Sequence, residues 1–550
     1  NNILKNFKLF SQKNLSNMKI SAKDIPENIL NRRTFAIISH PDAGKTTLTE
    51  QILLESGAIN LAGQVRAKAS SKRTISDFIK IEKERGISVS TSAMSIDYNG
   101  YWLNLVDTPG HADFSEDTYR TLTAVDFVIM VIDGAKGVES QTKKLFEICR
   151  LRDLPIITFC NKMDRESREV VEIIDEIQEK LALEVSLINY PIGKGNDFIG
   201  CYELNDGNIE LLIKQNKNVK NLIKFINSKS TNQLSSIITK EKWEQEFENL
   251  NLIKSLTAEF NYNNFQDGVL SPIFFGSAIY SLGVKRLLKS VIDYGPSPKP
   301  RQSKKRLVNP DEKYVSGFIF KVQANMDFRH RDRVAFLRIC SGKFKRGMKL
   351  YHVRSKKLIT ISNPILFLAN DRNIVDEAWA GDIIGIPNHG QFMIGDTFTE
   401  SENIKFLGIP SFAPEIMKKI TTTDPLKSKH LNKSLVQFAE EGLIKLFKTN
   451  VGDSKIIGVI GILQFDVLKH RMETEYNIPV KFEEIQYNAA RWLIGDNNNI
   501  EKFVEANSNQ IAIDHENDYV YLIRINWDLE KSIRDFPSIK FNKVKEINNS

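Results

Sequence analysis

The stretch Ser39-His40-Pro41-Asp42-Ala43-Gly44-Lys45-Thr46 follows the apolar run at 35–38 and is built like a phosphate-binding loop. In such a loop backbone N–H groups cradle phosphate oxygens, a lysine such as Lys45 reaches the β and γ positions, and a hydroxyl such as that of Thr46 ligates Mg²⁺. The helix that starts here adds the positive end of its dipole. The usual pattern opens on glycine, and Ser39 stands there instead. A second segment, Asp107-Thr108-Pro109-Gly110-His111, closes the short apolar run at 103–106. Its carboxylate can hold a water on Mg²⁺, and the Gly110 amide can donate to a γ-phosphate. A third, Asn161-Lys162-Met163-Asp164, follows the buried-strand pattern at 155–160. Asp164 can accept from the ring N–H and exocyclic amine of guanine, a donor pair adenine does not present, and a site left with unpaired polar groups rejects the wrong base. Far downstream Gly276-Ser277-Ala278 ends the run at 272–275, and backbone N–H groups of that turn are candidates for the guanine carbonyl. Alone, Gly-Lys-Thr suits any helix start and Gly-Ser-Ala any turn. Together the segments predict a guanine-nucleotide site.

Hydrolysis of a nucleoside triphosphate asks the protein mainly to neutralise charge and to position a water. Lys45 and Mg²⁺ supply the neutralisation. His111 is the candidate for orienting the water; the competing reading is an imidazole that only packs or solvates beside a flexible turn. Glutamine does this work in some relatives of the fold, and histidine hydrogen-bonds a water equally well but needs an outside group to bring it into position. Within 68–91, Ser88 offers a hydroxyl that completes the Mg²⁺ shell only while a γ-phosphate is present, so that its loss releases the loop. A charge-rich solvated loop is the alternative there.

These residues must be carried by strand ends. Runs at 35–38, 103–106, 127–132, 156–159 and 273–275 alternate with helical patterns such as 48–54 and 142–151, which predicts an α/β, doubly wound parallel sheet. Right-handed crossovers bring the loops after these strands to one sheet edge. We therefore expect a tail over 1–30, an α/β P-loop domain over 31–295 with an insertion at about 195–265, and a linker over 296–312 marked by Pro296, Pro298 and Pro300. A β-barrel over 313–405 and a C-terminal α+β domain over 406–550 follow, the latter with helices at 425–446 and 465–474 and strands at 456–463 and 480–485. A chain of 550 residues has room for roughly three domains.

With 41% hydrophobic and 26% charged residues the composition is that of a soluble globular protein. The net charge of +8 suits a surface that meets nucleic acid as well as it suits solvated lysines. Four cysteines are widely spaced without a CxxC pair, which favours reduced thiols and argues against zinc. No stretch reaches the ~18 apolar residues of a membrane helix. Lys5, Lys8, Lys13 and Lys19 lie in a first twenty residues free of acid; they read as a disordered tail, with Met18 a possible internal start, or as an arginine-poor transit segment.

The chain resembles the translational GTPases and, among them, the bacterial release factor 3 family. The resemblance rests on IISHPDAGKTTLTE from Ile37, ERGISVSTS from Glu84, DTPGHADFSEDTYRTLTAVD from Asp107 and LRDLPIITFCNKMDR from Leu151. It continues in FKVQANMDFRHRDRVAF from Phe320, GDIIGIPNHG from Gly381, IGDTFTE from Ile394 and GILQFDVLKHRMETEYN from Gly461. It covers 31 to about 512, is thin over about 205–250 and past 514, and makes Ser39 part of the family's own loop. It implies an elongation-factor-Tu-like barrel and a ribosome-dependent GTPase that removes class I release factors after the peptide is freed, cytoplasmic and monomeric. By this resemblance Asp42, Ala43, Gly44, Lys45, Thr46 and Thr47 bind the phosphates of GTP or GDP, and Thr46 and Ser88 serve Mg²⁺. Asn161, Lys162, Asp164, Ser277 and Ala278 hold guanine. His111 positions the water under activation by ribosomal RNA of the factor-binding centre. Two other readings are a translocase like elongation factor G, whose two further C-terminal domains the sequence past 512 does not seat, and a GTP-gated ribosome-docking protein with little turnover.

Overall fold

The computed structural model describes residues 26–59, 91–213, 222–227, 238–324, 333–368, 371–400, 402–452 and 454–546. Ser88 and the expected tail up to residue 25 lie outside them. Strand β4 (Phe127–Asp133) is buried along its whole length, as a strand covered by helices on both faces must be. It lies mid-sheet with β1 (Arg32–Ser39), β2 (Ser92–Tyr98), β3 (Tyr101–Asp107), β5 (Ile156–Asn161), β6 (Glu184–Leu187) and β11 (Leu270–Phe275). The order is β2-β3-β1-β4-β5-β11-β6. Alternate side chains separate the two cores: Phe35, Ile37, Phe127 and Ile129 face the helices Lys45–Glu55 and Val284–Tyr294. Ala36, Ile38, Val128 and Met130 face Ser140–Leu151 and Val170–Leu181.

The sheet differs from an all-parallel one at its edge, where β2 runs antiparallel to β3. Asn99 and Gly100 connect them with φ of 52° and 79°, the left-handed pair that a tight two-residue hairpin requires.

The insertion also begins earlier than expected. The apolar run 185–192 bends at Asn189, whose carboxamide accepts the Phe275 N–H at 2.7 Å and donates to the Phe275 carbonyl at 2.9 Å. From there β7 (Asn189–Ile192), β8 (Gly200–Glu203), β9 (Asn208–Ile213) and β10 (Leu222–Asn227) form a separate antiparallel sheet, followed by the helix Lys240–Leu256. Two buried carboxyls seat this sheet beside the Ser277–Gly283 turn: Glu210 accepts the Gly283 N–H at 2.7 Å, and Glu203 lies 3.2 Å from Arg286. Burial pushes Glu203 up to about 8 and Glu210 up to about 7. Above the ordinary carboxylate range the folded protein thus keeps protons at these two groups that the unfolded chain has released, so their contribution to stability is fully present at low pH and is lost as pH rises to about 8. Scanning calorimetry across pH 5–8.5 is expected to show this decline, and Glu203→Gln to flatten it; an unchanged slope in that variant would exclude Glu203 as a source.

The expected linker is laid down on the first domain rather than free. It contains a short hairpin of Arg301–Gln302 with Leu307–Val308. Arg301 reaches Asp126 at 2.8 Å and the Thr123 carbonyl at 3.0 Å. Asp126 is fully buried and also accepts Arg338 of the barrel at 2.6 Å. Arg32 pairs with Asp382 at 2.9 Å, and Thr34 donates to the Gly381 carbonyl at 2.7 Å. The barrel is an eight-stranded antiparallel sheet with Ser316–Ala324 and Arg333–Ser341 at its centre.

The C-terminal unit corrects two elements. The helix expected over 425–446 is Ser428–Glu440, because Gly442 at φ 77° turns the chain out and Lys445–Thr449 becomes a strand. The strand expected over 456–463 stops at Val459, and the next helix starts at Leu463. The unit then resolves into two βαββαβ halves. Strands Ile416–Thr422, Lys445–Thr449, Lys455–Val459 and Val480–Glu484 make the first, and Ala489–Ile494, Ile511–Asp514, Tyr519–Ile523 and Lys540–Asn542 the second. They join into one sheet where Phe447 to Thr449 pairs with Ala512 to Asp514.

Candidate active site

The phosphate-type loop leaves β1 at Ser39 and enters the helix Lys45–Glu55 through Gly44, whose φ is 91°. A Cβ on Gly44 would stand 2.3 Å from Asn161 Nδ2, so the loop tolerates only glycine there. No side chain caps this helix and no acid stands in its first turn, which leaves its N-terminal N–H groups aimed as an anion site. Lys45 and Asp107, both buried, meet at 2.5 Å. Thr108 donates to the Ile37 carbonyl at 2.8 Å and so fastens the second motif to β1. Gly110 faces the backbone of His40 and Pro41, which an added Cβ would touch at 3.7 Å. His40 is itself buried, with Nδ1 2.5 Å from Glu139, and burial lowers its pKa.

Asn161 works as a strut. Its amide nitrogen donates to the Ala43 carbonyl at 2.9 Å, while its oxygen accepts the N–H groups of Lys162 and Ala278, each at 2.8 Å. Lys162 stretches to the Asp42 carbonyl at 2.5 Å and to Asp133 at 2.7 Å. Burial alone would raise the Asp133 carboxyl, but the Lys162 ammonium and the Ala135 N–H outweigh it and hold the group below its ordinary value. Asp164 accepts the Ser277 hydroxyl at 2.5 Å, and the Met163 N–H donates to the Gly276 carbonyl at 3.2 Å. All four motifs therefore meet at one sheet edge.

The N–H groups of the Ser277-Ala278 turn are engaged within the protein, Ser277 with the Leu282 carbonyl at 3.1 Å and Ala278 with Asn161. The reason is adjacency: β5 and β11 are parallel neighbours, so the Asn161 carboxamide at the end of one is the nearest acceptor for the turn after the other.

His111 stands at the rim, its side chain about a third exposed, with Nδ1 accepting the Asp113 N–H at 3.2 Å. Thr46 and Asp107 offer hydroxyl and carboxylate oxygens of the hard type that Mg²⁺ prefers. Asp133, Glu139 and Glu210 escaped sequence reading; Asp133 alone had a signal, as a carboxylate closing a strand at the same edge. Elsewhere, the three acids Asp514, Glu516 and Asp518 have metal-like spacing, but the Lys545 ammonium lies 2.6 Å from each. All four cysteines are free and buried. No described helix is long and apolar enough to cross a membrane.

Comparison with known proteins divides the chain in three. The Elongation factor Tu GTP binding domain family matches residues 30–297, and Elongation factor G domain 2 matches 314–401. The family described as Class II release factor RF3, C-terminal domain, matches 406–532. The chain belongs to the class II release factors, a branch of the translational GTPases. As a class II release factor it binds guanine nucleotide, hydrolyses GTP and acts with the ribosome in translation termination. The C-terminal match sets it apart from translocases, with which it shares the barrel type. A crystal structure from Thermus thermophilus has the same fold at 21% identity, with a TM-score of 0.66 over 84% of this chain and 68% of that one.

Proposed function

We propose that this class II release factor uses GTP to promote dissociation of class I release factors from the ribosome after peptide release. The observation that carries the reading is the convergence of the Lys45–Asp107 pair and the Asp164–Ser277 pair on one sheet edge, with His111 at its open rim. Lys45 and the N–H groups of Asp42 to Thr47 hold the phosphates. Asp164 and Ser277 read the base, while Asn161, Lys162 and the Ala278 N–H keep the base and phosphate walls in register. Thr46 and Asp107, with Ser88 as the further ligand the sequence suggests, would hold Mg²⁺, which when bound would neutralise phosphate charge. His111 hydrogen-bonds a water in line with the γ-phosphorus. A bond forms from the water oxygen to phosphorus, the bond to the β–γ bridging oxygen breaks, and the released proton leaves on phosphate. Lys45 meets the charge that gathers on the bridging oxygen. Ribosomal RNA of the factor-binding centre brings His111 inward, and the protein works as a cytoplasmic monomer.

The test is dissociation of a labelled class I factor from post-release ribosomes, followed together with phosphate release. Addition of the protein and GTP is expected to accelerate both; unchanged dissociation would end the reading, and ribosome binding without stimulated hydrolysis would favour a docking protein. His111→Ala is expected to keep GTP affinity within about twofold and lose roughly 100-fold or more of the stimulated rate, about 2.7 kcal/mol. Full turnover in that variant would remove His111 from the reaction.

A further inference from the structure

His111 is followed at once by a 3₁₀ turn, Ala112–Phe114, that belongs to the GTPase domain in sequence and leans on the C-terminal domain in space. Within the turn the Asp113 N–H donates to His111 Nδ1 at 3.2 Å, and one Asp113 carboxylate oxygen stands 3.4 Å from the same nitrogen. The other oxygen accepts the backbone N–H of Leu463 at 2.8 Å, the first residue of the helix Leu463–Tyr476. The fit around this carboxylate is close: a Cβ on Gly461 would lie 2.0 Å from Asp113 Cγ. Phe114 packs on Val467 of the same helix, with Leu443 and Leu463 beside them.

The grip continues past the turn. Glu116, buried, accepts the Lys445 ammonium at 2.7 Å and the Phe412 N–H at 3.3 Å, and Arg120 donates to the Gly442 carbonyl at 3.3 Å. Apolar packing, an ion pair and backbone hydrogen bonds thus tie Asp113, Phe114, Glu116 and Arg120 to the C-terminal domain, while Asp117 between them pairs with Lys321 of the barrel at 3.3 Å.

We propose that Asp113 is a positioning residue for His111, and that the C-terminal domain governs the aim of the imidazole by holding Asp113 against the start of its helix. A neutral imidazole whose Nδ1 accepts an N–H carries its proton on Nε2. The Asp113 N–H therefore selects the tautomer and leaves Nε2–H for the water, while the Asp113 carboxylate, held by the Leu463 N–H, fixes where that N–H points and so the orientation of the ring. When the C-terminal domain shifts, the Leu463 N–H leaves the carboxylate and a three-residue turn loses its outer support, so docking of that domain becomes a condition for hydrolysis. This inference rests on His111 acting on the water.

The test uses the full chain with ribosomes. Asp113→Ala is expected to lower the stimulated kcat about tenfold or more, with the GTP dissociation constant and the half-saturating ribosome concentration within about twofold of the parent. Asp113→Asn keeps an acceptor for Leu463 and is expected to recover most of the rate. Gly461→Ala pushes on the intact carboxylate and is expected to lower kcat in the same way, while the double variant Asp113→Ala/Gly461→Ala loses no more than the worse single one, as coupled neighbours do. A wild-type kcat in Asp113→Ala, a loss confined to GTP or ribosome affinity, or multiplying losses in the double variant would each overturn the proposal. Should Asp113→Ala fold poorly, Gly461→Ala answers the same question: a lowered kcat supports the coupling and an unchanged one overturns it. His111→Ala, run alongside, separates the two ideas: a dead His111→Ala with a normal Asp113→Ala rejects only the coupling, whereas an active His111→Ala rejects the role of His111 itself.

Discussion

Replacing Lys45 with alanine is expected to weaken GTP binding by at least about 100-fold, roughly 2.7 kcal/mol. Hydrogen bonds from a charged donor are each worth about 1.5–3 kcal/mol, and Lys45 is placed to make them to two phosphates. A second cost comes from Asp107. In the structure the Lys45 ammonium lies 2.5 Å from that carboxylate, and both side chains are buried. Without Lys45 the site keeps the Asp107 negative charge at its floor and presents it to an anionic ligand with less to balance it. The variant is therefore worse than neutral for phosphate. Lys45→Arg is not a conservative rescue, because a wider guanidinium must enter a niche where the native side chain is about 6% exposed. Titration with a fluorescent GTP analogue checks this; native affinity in Lys45→Ala would remove Lys45 from the cradle.

How far such a site can be read in advance depends on the range of the interactions that build it. Strands β1, β3, β5 and β11 are buried along most of their length and so appear as apolar-rich runs, and the chemistry follows each of them directly in the chain. The four motifs were legible for that reason. β2 is an edge strand whose apolar residues Ala93, Met94 and Ile96 are interrupted by Ser95 and Asp97, and its one sharp local signal was the Asn99-Gly100 pair. The bend at Asn189 has no local signature, since a single carboxamide satisfies backbone groups of Phe275, 86 positions away. The same holds for Asn161: the resemblance assigns it to guanine, and only the folded chain shows its carboxamide also bracing the turn after β11. In the C-terminal unit, Lys445–Thr449 follows a helix so closely that its apolar residues extend the helical pattern. What ends that helix is Gly442, packed against Arg120 of another domain. The Asp113 to Leu463 contact spans 350 positions and could be found only once the chain was folded.

Asp164→Asn is expected to reverse base choice, losing GTP affinity by about 10²–10⁴-fold while gaining xanthosine triphosphate. A carboxylate accepts from both the ring N–H and the exocyclic amine of guanine, and the loss of two charge-assisted bonds at about 1.5–3 kcal/mol each sets that range. The structure supports a clean exchange rather than a collapse. Asp164 uses one oxygen to accept the Ser277 hydroxyl at 2.5 Å. The amide oxygen of the introduced asparagine can keep that bond, which turns its NH₂ group toward the base. A donor there opposes the amine of guanine and matches the carbonyl that xanthine carries in its place. Ser277→Ala, by releasing the carboxamide to rotate, is expected to blunt the discrimination of the double variant without restoring GTP. Parallel titrations of the two nucleotides decide the matter, and unaltered GTP preference in Asp164→Asn would contradict the assigned base contact. Because the measurement needs no ribosome, its outcome bears on the base pocket alone and stays independent of His111, Asp113 and the docking of the C-terminal domain.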